Sequence, residues 1–537
     1  MTPESPPRPV SPLRRPPAGR RFVAFAVALA LSVQPLGPAV FSSGAAQAQA
    51  QAPGTPVFTS IPMPAPAPAQ TQTQTLPDLG EESQAMSTPF QERKLGEMVV
   101  HQIRAAGAYL DDPEVNDYLN DLGHRLVAAV PEGKQDFEFF GVNDPTINAF
   151  ALPGGFVGVN TGLILMTQTE SELAAVLAHE ISHVTQHHYI RTLAAQQRSM
   201  LLSLAALALA IAAARSNSSS SGQMASAGIA GAQALAIQTQ INYTREHEYE
   251  ADRIGFQRLD AAGFDVNAMA SLMNRMQKAT QFSDSGAPSY LRSHPITYER
   301  IAEAQARAFS KPYRQVPDSL DFQLVRALLK SYAGTPQDAV AYFTAALTDR
   351  KFNDEVAVRY GLVASQLRAA DNKQAKAELA ALEKIAPPHP MIEAMAGHVL
   401  MEAGDLGQAI ERFRTALVRY PNKLQLVYDY PEALLKAGRA REAAAFLDRE
   451  IPRFPGNGPL HRLAAKAYAE LGKKLEQYRH QGEYYAWQGD LKGAVVQFEL
   501  AAKAGDGDFY QSSVVETRLR ALRRELVEQQ ANARNNG

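Results

Sequence analysis

From Phe90 onward, apolar residues recur at steps of three and four positions, which is the spacing of one face of an α-helix. The pattern predicts two helices that pack against a third, more apolar helix around residues 173–188. The apolar positions are Leu95, Met98, Val99 and Ile103 in the first helix, and Val115, Tyr118, Leu119, Leu122 and Leu126 in the second.

Between the second and third helices, the pattern changes to short apolar runs bounded by turn residues. Residues 137–142 predict one strand. Residues 147–152 and 156–159, joined by Pro153, Gly154 and Gly155, predict a hairpin that leads into the third helix. An exposed edge of this hairpin, at Asn148, Ala149 and Phe150, could bind extended polypeptide through main-chain hydrogen bonds. An ordinary strand of the sheet is the alternative.

After the third helix, residues 200–214 form an apolar run, residues 216–222 are rich in serine, and residues 224–237 are rich in alanine and glycine. As a helix, the apolar run would be about 22 Å long, which is too short to span a bilayer alone. We expect residues 197–240 to form a helical hairpin or lid beside the active site. Contact with a membrane surface, contact with a hydrophobic client and simple burial remain alternatives.

A period of 34 residues dominates the C-terminal part. Such a period, with glycine between helices and alanine at helix crossings, is typical of tetratricopeptide repeats. We therefore expect an α-solenoid over residues 317–525 that binds partners, followed by a polar tail, 526–537. The repeated positions are Gly404, Gly438 and Gly472; Pro387, Pro421 and Pro455; Ala375, Ala409 and Ala443; and Leu379, Phe413 and Leu447. Gly334, Ala339, Phe343 and Ala346 indicate an earlier copy, and Gly489, Ala494, Phe498 and Ala501 a later one.

The first residues have the pattern of an export signal. Five arginines precede an apolar run, 22–33, and small residues follow at 46–50, as in a secretory signal peptide, which we assign to residues 1–48. The apolar run is too short for a membrane anchor. Residues 49–85, rich in Ala, Pro, Gln and Thr, predict a disordered linker. We expect the periplasm of a Gram-negative bacterium as the location.

The charge and the cysteine content limit which ligands and metal sites the chain can have. Without residues 1–48, which carry five arginines and one glutamate, the formal charge changes from −2 to −6, so the chain has no basic footprint for nucleic acid. The sequence contains no cysteine. Any zinc site must therefore use histidine and carboxylate ligands.

The third helix contains an HExxH motif formed by His179, Glu180 and His183. One turn of helix separates the two histidines, so they can share one metal ion, while Glu180 faces a water on that ion. Thr169 and Glu172 predict a capping box that starts the helix near Glu170. The predicted chemistry is that of a zinc hydrolase.

A catalytic zinc site usually has three protein ligands and a water. Gln186 and Tyr189 exclude the metzincin arrangement, and His187 lies about 12 Å along the helix from His179. A second helix at residues 245–255 offers carboxylates. On it Glu248 can ligate, Asp252 can accept a hydrogen bond from a ligand histidine, and Gly255 permits close helix approach. Glu250 is the alternative ligand, although it is expected, with Glu246, to face solvent.

These motifs together, HEISH and EYEAD with the preceding INAFALPGG and the following His294, Pro295 and Arg300, resemble the gluzincin metallopeptidases related to HtpX and the CAAX prenyl protease. The resemblance covers about residues 86–310 and implies a zincin-like α+β domain, 86–316, with a small β-hairpin or sheet. With the solenoid, the fold class is mainly α. It implies one zinc ion held by His179, His183 and Glu248, with catalytic Glu180, a supporting Asp252, and His294 near the metal. There His294 could stabilise an oxyanion or close the site in a latent state.

The combination of export signal, gluzincin domain and repeats resembles periplasmic proteases of outer-membrane quality control. It implies a zinc endopeptidase whose substrates are misfolded or stalled outer-membrane β-barrel proteins. Its partners would then include the barrel assembly machinery, bound through the repeats, with possible peripheral membrane contact. A chaperone or scaffold with a latent metal site is the alternative.

Overall fold

The computed structural model of the protein describes residues 88–130, 136–195, 244–281 and 289–535. The segments assigned to the signal peptide, the linker and the lid, residues 1–48, 49–85 and 197–240, lie outside these residues. Within the described ranges, no helix is both long enough and apolar enough to cross a bilayer.

The two predicted N-terminal helices are α1, Pro89–Ala105, and α2, Pro113–Ala129. Each begins with proline, whose missing N–H costs nothing at a helix start. Thr88 caps α1 in a reciprocal box with Gln91, and Asp112 caps α2 by accepting from the N–H groups of Glu114 and Val115. The apolar face of α2, including Val115, Leu119 and Leu126, is fully buried in the core.

Three strands form one small sheet in the order β1, β3, β2: β1 is Glu138–Val142, β2 is Ala149–Leu152 and β3 is Phe156–Asn160. β1 runs parallel to β3, and β2 pairs antiparallel with it. The predicted hairpin is confirmed. Its turn requires glycine, because Gly154 and Gly155 have φ of 77° and 89° and a Cβ on either would collide with backbone. β2 is an edge strand within the described sheet.

Helix α4, Glu170–Thr185, follows the short α3, Thr161–Met166, and carries the HExxH motif. Thr169 caps it as predicted, but the capping box is incomplete. The Glu172 carboxylate accepts from the N–H of Gln168 at 2.7 Å and from Arg275 at 2.6 Å instead. Almost every residue of α4 is buried, because other helices and the sheet surround it. The peptidase region continues with α5, 188–195; α6, 244–261; α7, Asn267–Gln281; α8, Ser289–Ser293; and α9, Tyr298–Phe309.

The C-terminal region is the predicted solenoid of paired helices, and the repeat positions explain its packing. Gly404, Gly438 and Gly472 adopt φ of 72–83° just beyond a helix end, where glycine avoids strain. The repeated alanines, 375, 409 and 443, are fully buried at helix crossings. The helices are α10, Leu320–Tyr332; α11, Pro336–Thr348; α12, Glu355–Arg368; α13, Asn372–Leu382; α14, Pro390–Glu402; α15, Leu406–Arg419; α16, Leu424–Lys436; α17, Ala440–Glu450; α18, Gly458–Glu470; α19, Lys474–Trp487; α20, Leu491–Ala502; and α21, Phe509–Asn535.

The solenoid packs directly on the peptidase helices. Tyr332 and Tyr360 donate hydrogen bonds of 2.8 Å to Asp112 and Glu114 at the start of α2. Near the other end of the solenoid, the Arg104 guanidinium lies over the ring of Trp487 at 4.4 Å. One hydrophobic core runs without interruption from Leu110 into the first repeats. The peptidase region and these repeats therefore share a core.

Candidate metal centre

Helix α4 brings two imidazoles together. The Nε2 atoms of His179 and His183 lie 3.0 Å apart, because four residues make about one helical turn. His179 is buried and His183 nearly so. Two imidazole nitrogens at this distance in a closed environment are suited to a shared cation that displaces their protons.

Helix α6 places a carboxylate, Glu248, beside the two histidines. A Cβ on Gly255 would lie 3.1 Å from the His179 amide nitrogen, so glycine lets α6 approach α4 closely. Glu248 then lies with its oxygens 3.4 Å from His179 Nε2 and 3.5 Å from His183 Nε2. His294 closes the group, with Nδ1 2.9 Å from Glu248 and 3.4 Å from His179 Nε2.

These four side chains fit a single tetrahedral cation. One donor atom from each of His179, His183, Glu248 and His294 lies within 4.8 Å of the other three. Metal bonds of about 2.0–2.1 Å, as for zinc, place tetrahedral ligand atoms about 3.3 Å apart. Five of the six pairs of donor atoms lie 2.9–3.5 Å apart, taking either oxygen of Glu248. The donor set is three imidazole nitrogens and one carboxylate, with His294 as the fourth candidate ligand.

Glu180 is the group available for proton transfer. It is fully buried, and neither of its oxygens has a hydrogen-bond partner in the described part of the chain. Its Oε1 lies 3.7 Å from His294 Nε2. A buried carboxylate without a partner is costly, so its position is explained by a ligand or water at the metal centre.

Asp252 and Arg300 support the ligands from behind. Asp252 Oδ1 is 3.0 Å from His179 Nδ1, an ion-pair distance without the alignment of a hydrogen bond. Arg300 donates to both Asp252 oxygens, at 2.6 and 2.8 Å, and pairs with Glu248 at 2.8 Å. The supporting role of Arg300 is not evident from sequence, since the only signal is its place after His294 and Pro295.

Charge pairing shifts the pKa values of this group. Burial lowers the pKa of His179, but its bonds to Asp252 and Glu248 outweigh burial and raise the pKa to about 10. Burial raises the pKa of Glu248 and of Asp252, but the facing histidines hold the pKa of Glu248 below the usual range, and His179 with Arg300 does the same for Asp252. Both carboxylates are therefore ionised, and Glu248 is ready to bind a cation.

The expectation for Glu250, a residue next to the site, needs correction. Glu250 is not solvated but half-buried, and it bonds His188 at 3.1 Å and Arg191 at 2.8 Å. It does not belong to the ligand group found among the described residues, because it projects away from Glu248 on α6. His187 follows the end of α4, lies near Glu92 and also stays outside the group.

The predicted substrate strand is the edge strand β2. Ala149 is fully buried and Phe150 packs over Gly158, so these two side chains belong to the core. The Asn148 carbonyl accepts from the N–H of Asn160. The N–H of Tyr290, four residues before His294, donates to the Ile147 carbonyl at 3.3 Å. The residue two positions before the edge strand is thus hydrogen-bonded to the segment that carries His294.

Comparisons with known proteins agree with this site. Residues 113–308 match peptidase family M48, and residues 400–467 match a tetratricopeptide repeat family. The chain is 31% identical over 453 residues to the β-barrel assembly-enhancing protease of Escherichia coli strain K12, covering 84% of this chain and 91% of that protein. A relative in Vibrio cholerae is 34% identical over 431 residues, or 80% of this chain and 88% of the relative.

A third relative matches a shorter stretch of this chain. The mitochondrial metalloendopeptidase OMA1 of Schizosaccharomyces pombe is 32% identical over 189 residues, which are 35% of this chain and 51% of that protein.

Proposed function

Because this chain belongs to peptidase family M48, together with the β-barrel assembly-enhancing proteases, we propose that it is a zinc-dependent endopeptidase that hydrolyses misfolded or stalled outer-membrane proteins. The observation that carries the proposal is the convergence of His179, His183 and Glu248 beside the unpartnered carboxylate of Glu180. These groups supply the ligands and the base of a hydrolytic site.

His179, His183 and Glu248 would hold the zinc ion, which supplies Lewis acidity and makes a bound water acidic. Glu180 takes a proton from the attacking water and later delivers it to the leaving amine nitrogen. The water oxygen forms the new bond to the carbonyl carbon, and the carbon–nitrogen bond breaks. Asp252 and Arg300 keep His179 and Glu248 oriented during both proton transfers.

We propose that extended substrate adds to the edge strand β2 beside Asn148, Ala149 and Phe150. The support is the edge position of β2 in the described sheet and its packing against α4. Main-chain pairing ignores side chains, which suits a protease for unfolded clients. The buried side chains of Ala149 and Phe150 would shape the strand, while backbone groups bind.

The repeats would bind outer-membrane β-barrel proteins and their assembly machinery. Tetratricopeptide solenoids present extended binding surfaces, and the names of the bacterial relatives point to barrel assembly. An export signal at residues 1–48 would bring the chain to the periplasm of a Gram-negative bacterium.

A chaperone or scaffold with a latent metal site is the second candidate. The position of His294 favours it, because a fourth protein ligand leaves no place for water. In that case, the repeats would hold clients without hydrolysing them. A variant of His294 can therefore distinguish a protease in a resting state from a metal site that never hydrolyses substrate.

The test uses the full exported chain, with zinc content and casein hydrolysis as readouts. Glu180→Gln should keep stoichiometric zinc and lose about 10²–10⁴-fold in kcat, because a general base contributes about that factor. His294→Ala should keep zinc and hydrolyse faster, since it opens the fourth position.

Three results would count against these assignments. A folded parent protein without stoichiometric zinc contradicts the enzyme proposal. A Glu180→Gln variant that fully restores a deletion strain favours the chaperone role. An inactive His294→Ala variant with zinc bound shows that His294 assists hydrolysis and does not block it.

A further inference from the structure

A break after α4 places a third histidine behind the ligand His183. Gln186 ends the helix, His187 adopts a left-handed φ of 51°, and the helix resumes at His188. On an unbroken helix, a residue five positions on would point about 140° away from His183. The break instead brings His188 Nδ1 to 2.8 Å from His183 Nδ1, with the rings edge to face.

The contacts continue from His188 to a charged pair. His188 Nε2 lies 3.1 Å from Glu250 Oε2, and Arg191 donates to the same oxygen at 2.8 Å. His247 stacks on the His188 ring, with centroids 4.2 Å apart and planes 12° apart. The His188 side chain is 4% exposed. The His188 ring is thus held by stacking on His247 and by a contact at each of its two nitrogens.

The direction of the hydrogen bonds follows from the groups at the two ends. A carboxylate paired with arginine only accepts, so His188 Nε2 donates to Glu250. A neutral imidazole that donates from Nε2 accepts at Nδ1, so His183 Nδ1–H is the donor. His183 Nε2 is then left with its lone pair facing His179 and Glu248. This is the tautomer that a metal ligand requires.

The other histidine of the motif, His179, has a similar arrangement behind it, but without an intervening imidazole. His179 Nδ1 lies 3.0 Å from Asp252 Oδ1, and Arg300 donates to Asp252. For His183, the carboxylate Glu250 and its arginine, Arg191, act through one intervening imidazole. Behind both histidines of the motif, His179 and His183, there is therefore a carboxylate paired with an arginine. Both carboxylates belong to α6.

We propose that His188, Glu250 and Arg191 form a positioning relay that fixes the tautomer and orientation of the metal ligand His183. The inference rests on the proposed zinc site. These residues do not touch the metal position, and they act on it through His183. Partners of this kind change metal affinity by about ten- to a hundredfold when they are removed.

The experiment measures zinc affinity of the full chain by competition with a chromophoric chelator. His188→Leu should weaken zinc binding about ten- to a hundredfold. His188→Gln should restore most of that loss, because an amide oxygen can accept from His183 while its NH₂ group donates to Glu250. His188→Leu combined with Glu250→Leu should cost little more than either change alone, since the two act in one chain.

His187→Asn is the matched control, since it removes the adjacent histidine and asparagine tolerates a left-handed φ. It should bind zinc like the parent. Equal zinc affinity of His188→Leu and the parent overturns the proposal. So does an equal loss in His188→Leu and His188→Gln, which indicates packing alone.

Circular dichroism of the metal-free variants checks their fold. Should His188→Leu fail to fold, Glu250→Gln takes its place, because it keeps the shape and removes the ionised acceptor. Severalfold weaker zinc binding supports the relay, and parental affinity overturns it. A parent that binds no zinc contradicts the proposed function itself.

Discussion

At the residue scale, Arg300 joins two carboxylates of the metal centre through one guanidinium. It is 3% exposed and bonds Asp252, Glu248 and the Pro295 carbonyl. Arg300→Met should lower the free energy of unfolding by about 3–5 kcal/mol, because it leaves buried charges without their partner. Urea denaturation with chelator present measures this loss apart from zinc binding.

Arg414→Met is the control for Arg300, because the exposed Arg414–Glu411 pair is screened by solvent and its loss should leave stability almost unchanged. Arg300→Lys should fall between parent and Arg300→Met, since an ammonium cannot bond both carboxylates in a fork. A loss below about 1 kcal/mol for Arg300→Met would mean that the two carboxylates need no cation.

The separation of residues along the chain decides which of them the sequence reveals. His179, Glu180 and His183 share one turn of helix, and Glu248 and Asp252 share another, so helical geometry alone groups them. His294 lies 115 positions from His179, and no periodicity connects them, so only family resemblance indicated it. His188 was missed because an unbroken helix points it elsewhere.

At the element scale, the approach of α6 to α4 depends on Gly255. A Cβ there would lie 3.1–3.2 Å from backbone atoms of Ala178 and His179. Gly255→Ala should therefore push the helices apart, lower stability by about 1–3 kcal/mol and weaken zinc binding. Thermal unfolding and chelator competition measure the two effects.

Gly407→Ala is the matched control, because Gly407 is also helical and a Cβ there meets nothing within 4 Å. It should raise stability by about 0.5–1 kcal/mol, as helical glycine is unfavourable relative to alanine. If Gly255→Ala and Gly407→Ala both stabilise the chain, a Cβ fits between α6 and α4, and Gly255 does not determine the distance between these helices.

Elements with a strong local signal were predictable, and those that depend on tertiary contacts were not. The hairpin turn at Gly154 and the repeat turns at Gly404 and Gly438 need a positive φ. Glycine is the usual residue at positive φ, so its presence in the sequence indicates such turns. The break at His187 contains neither glycine nor proline. Glu172 fits the capping-box pattern, but Arg275, about a hundred residues away, bonds its carboxylate.

At the scale of the whole molecule, acidic residues of α2 meet the solenoid in a buried interface. Tyr360 donates to Glu114, and the N–H of Leu424 donates to Asp117 at 3.0 Å. Nothing in the local sequence distinguishes these acids from solvated ones. Their burial exists only because the repeats return to α2, so the coupling between the two regions had to come from the structure.

This interface should make stability depend on pH. Burial raises the pKa of Glu114 to about 8 and that of Asp117 to about 6, so the folded chain holds protons that the unfolded chain releases. The contribution of Glu114 is complete below about pH 4.5 and is lost as pH rises to about 8, by at most about 1.4 kcal/mol per pH unit. Asp117 adds a loss of the same sign between about pH 4 and 6.

Glu114→Gln tests this, because an amide keeps the shape, accepts from Tyr360 and does not titrate. Urea unfolding of the full chain, without metal, should show a shallower fall in stability between pH 6 and 8 for Glu114→Gln than for the parent. His398, whose pKa burial lowers but Asp429 raises to about 9, also faces Glu114, so loss of the Glu114 charge lowers the His398 pKa and makes the fall in stability shallower as well. Glu402→Gln, at an exposed helix end, should leave the parental slope unchanged. If stability falls equally with pH in Glu114→Gln and the parent, Glu114 is ionised in the folded chain. Charge pairing at this interface then affects the pKa of Glu114 more than burial does.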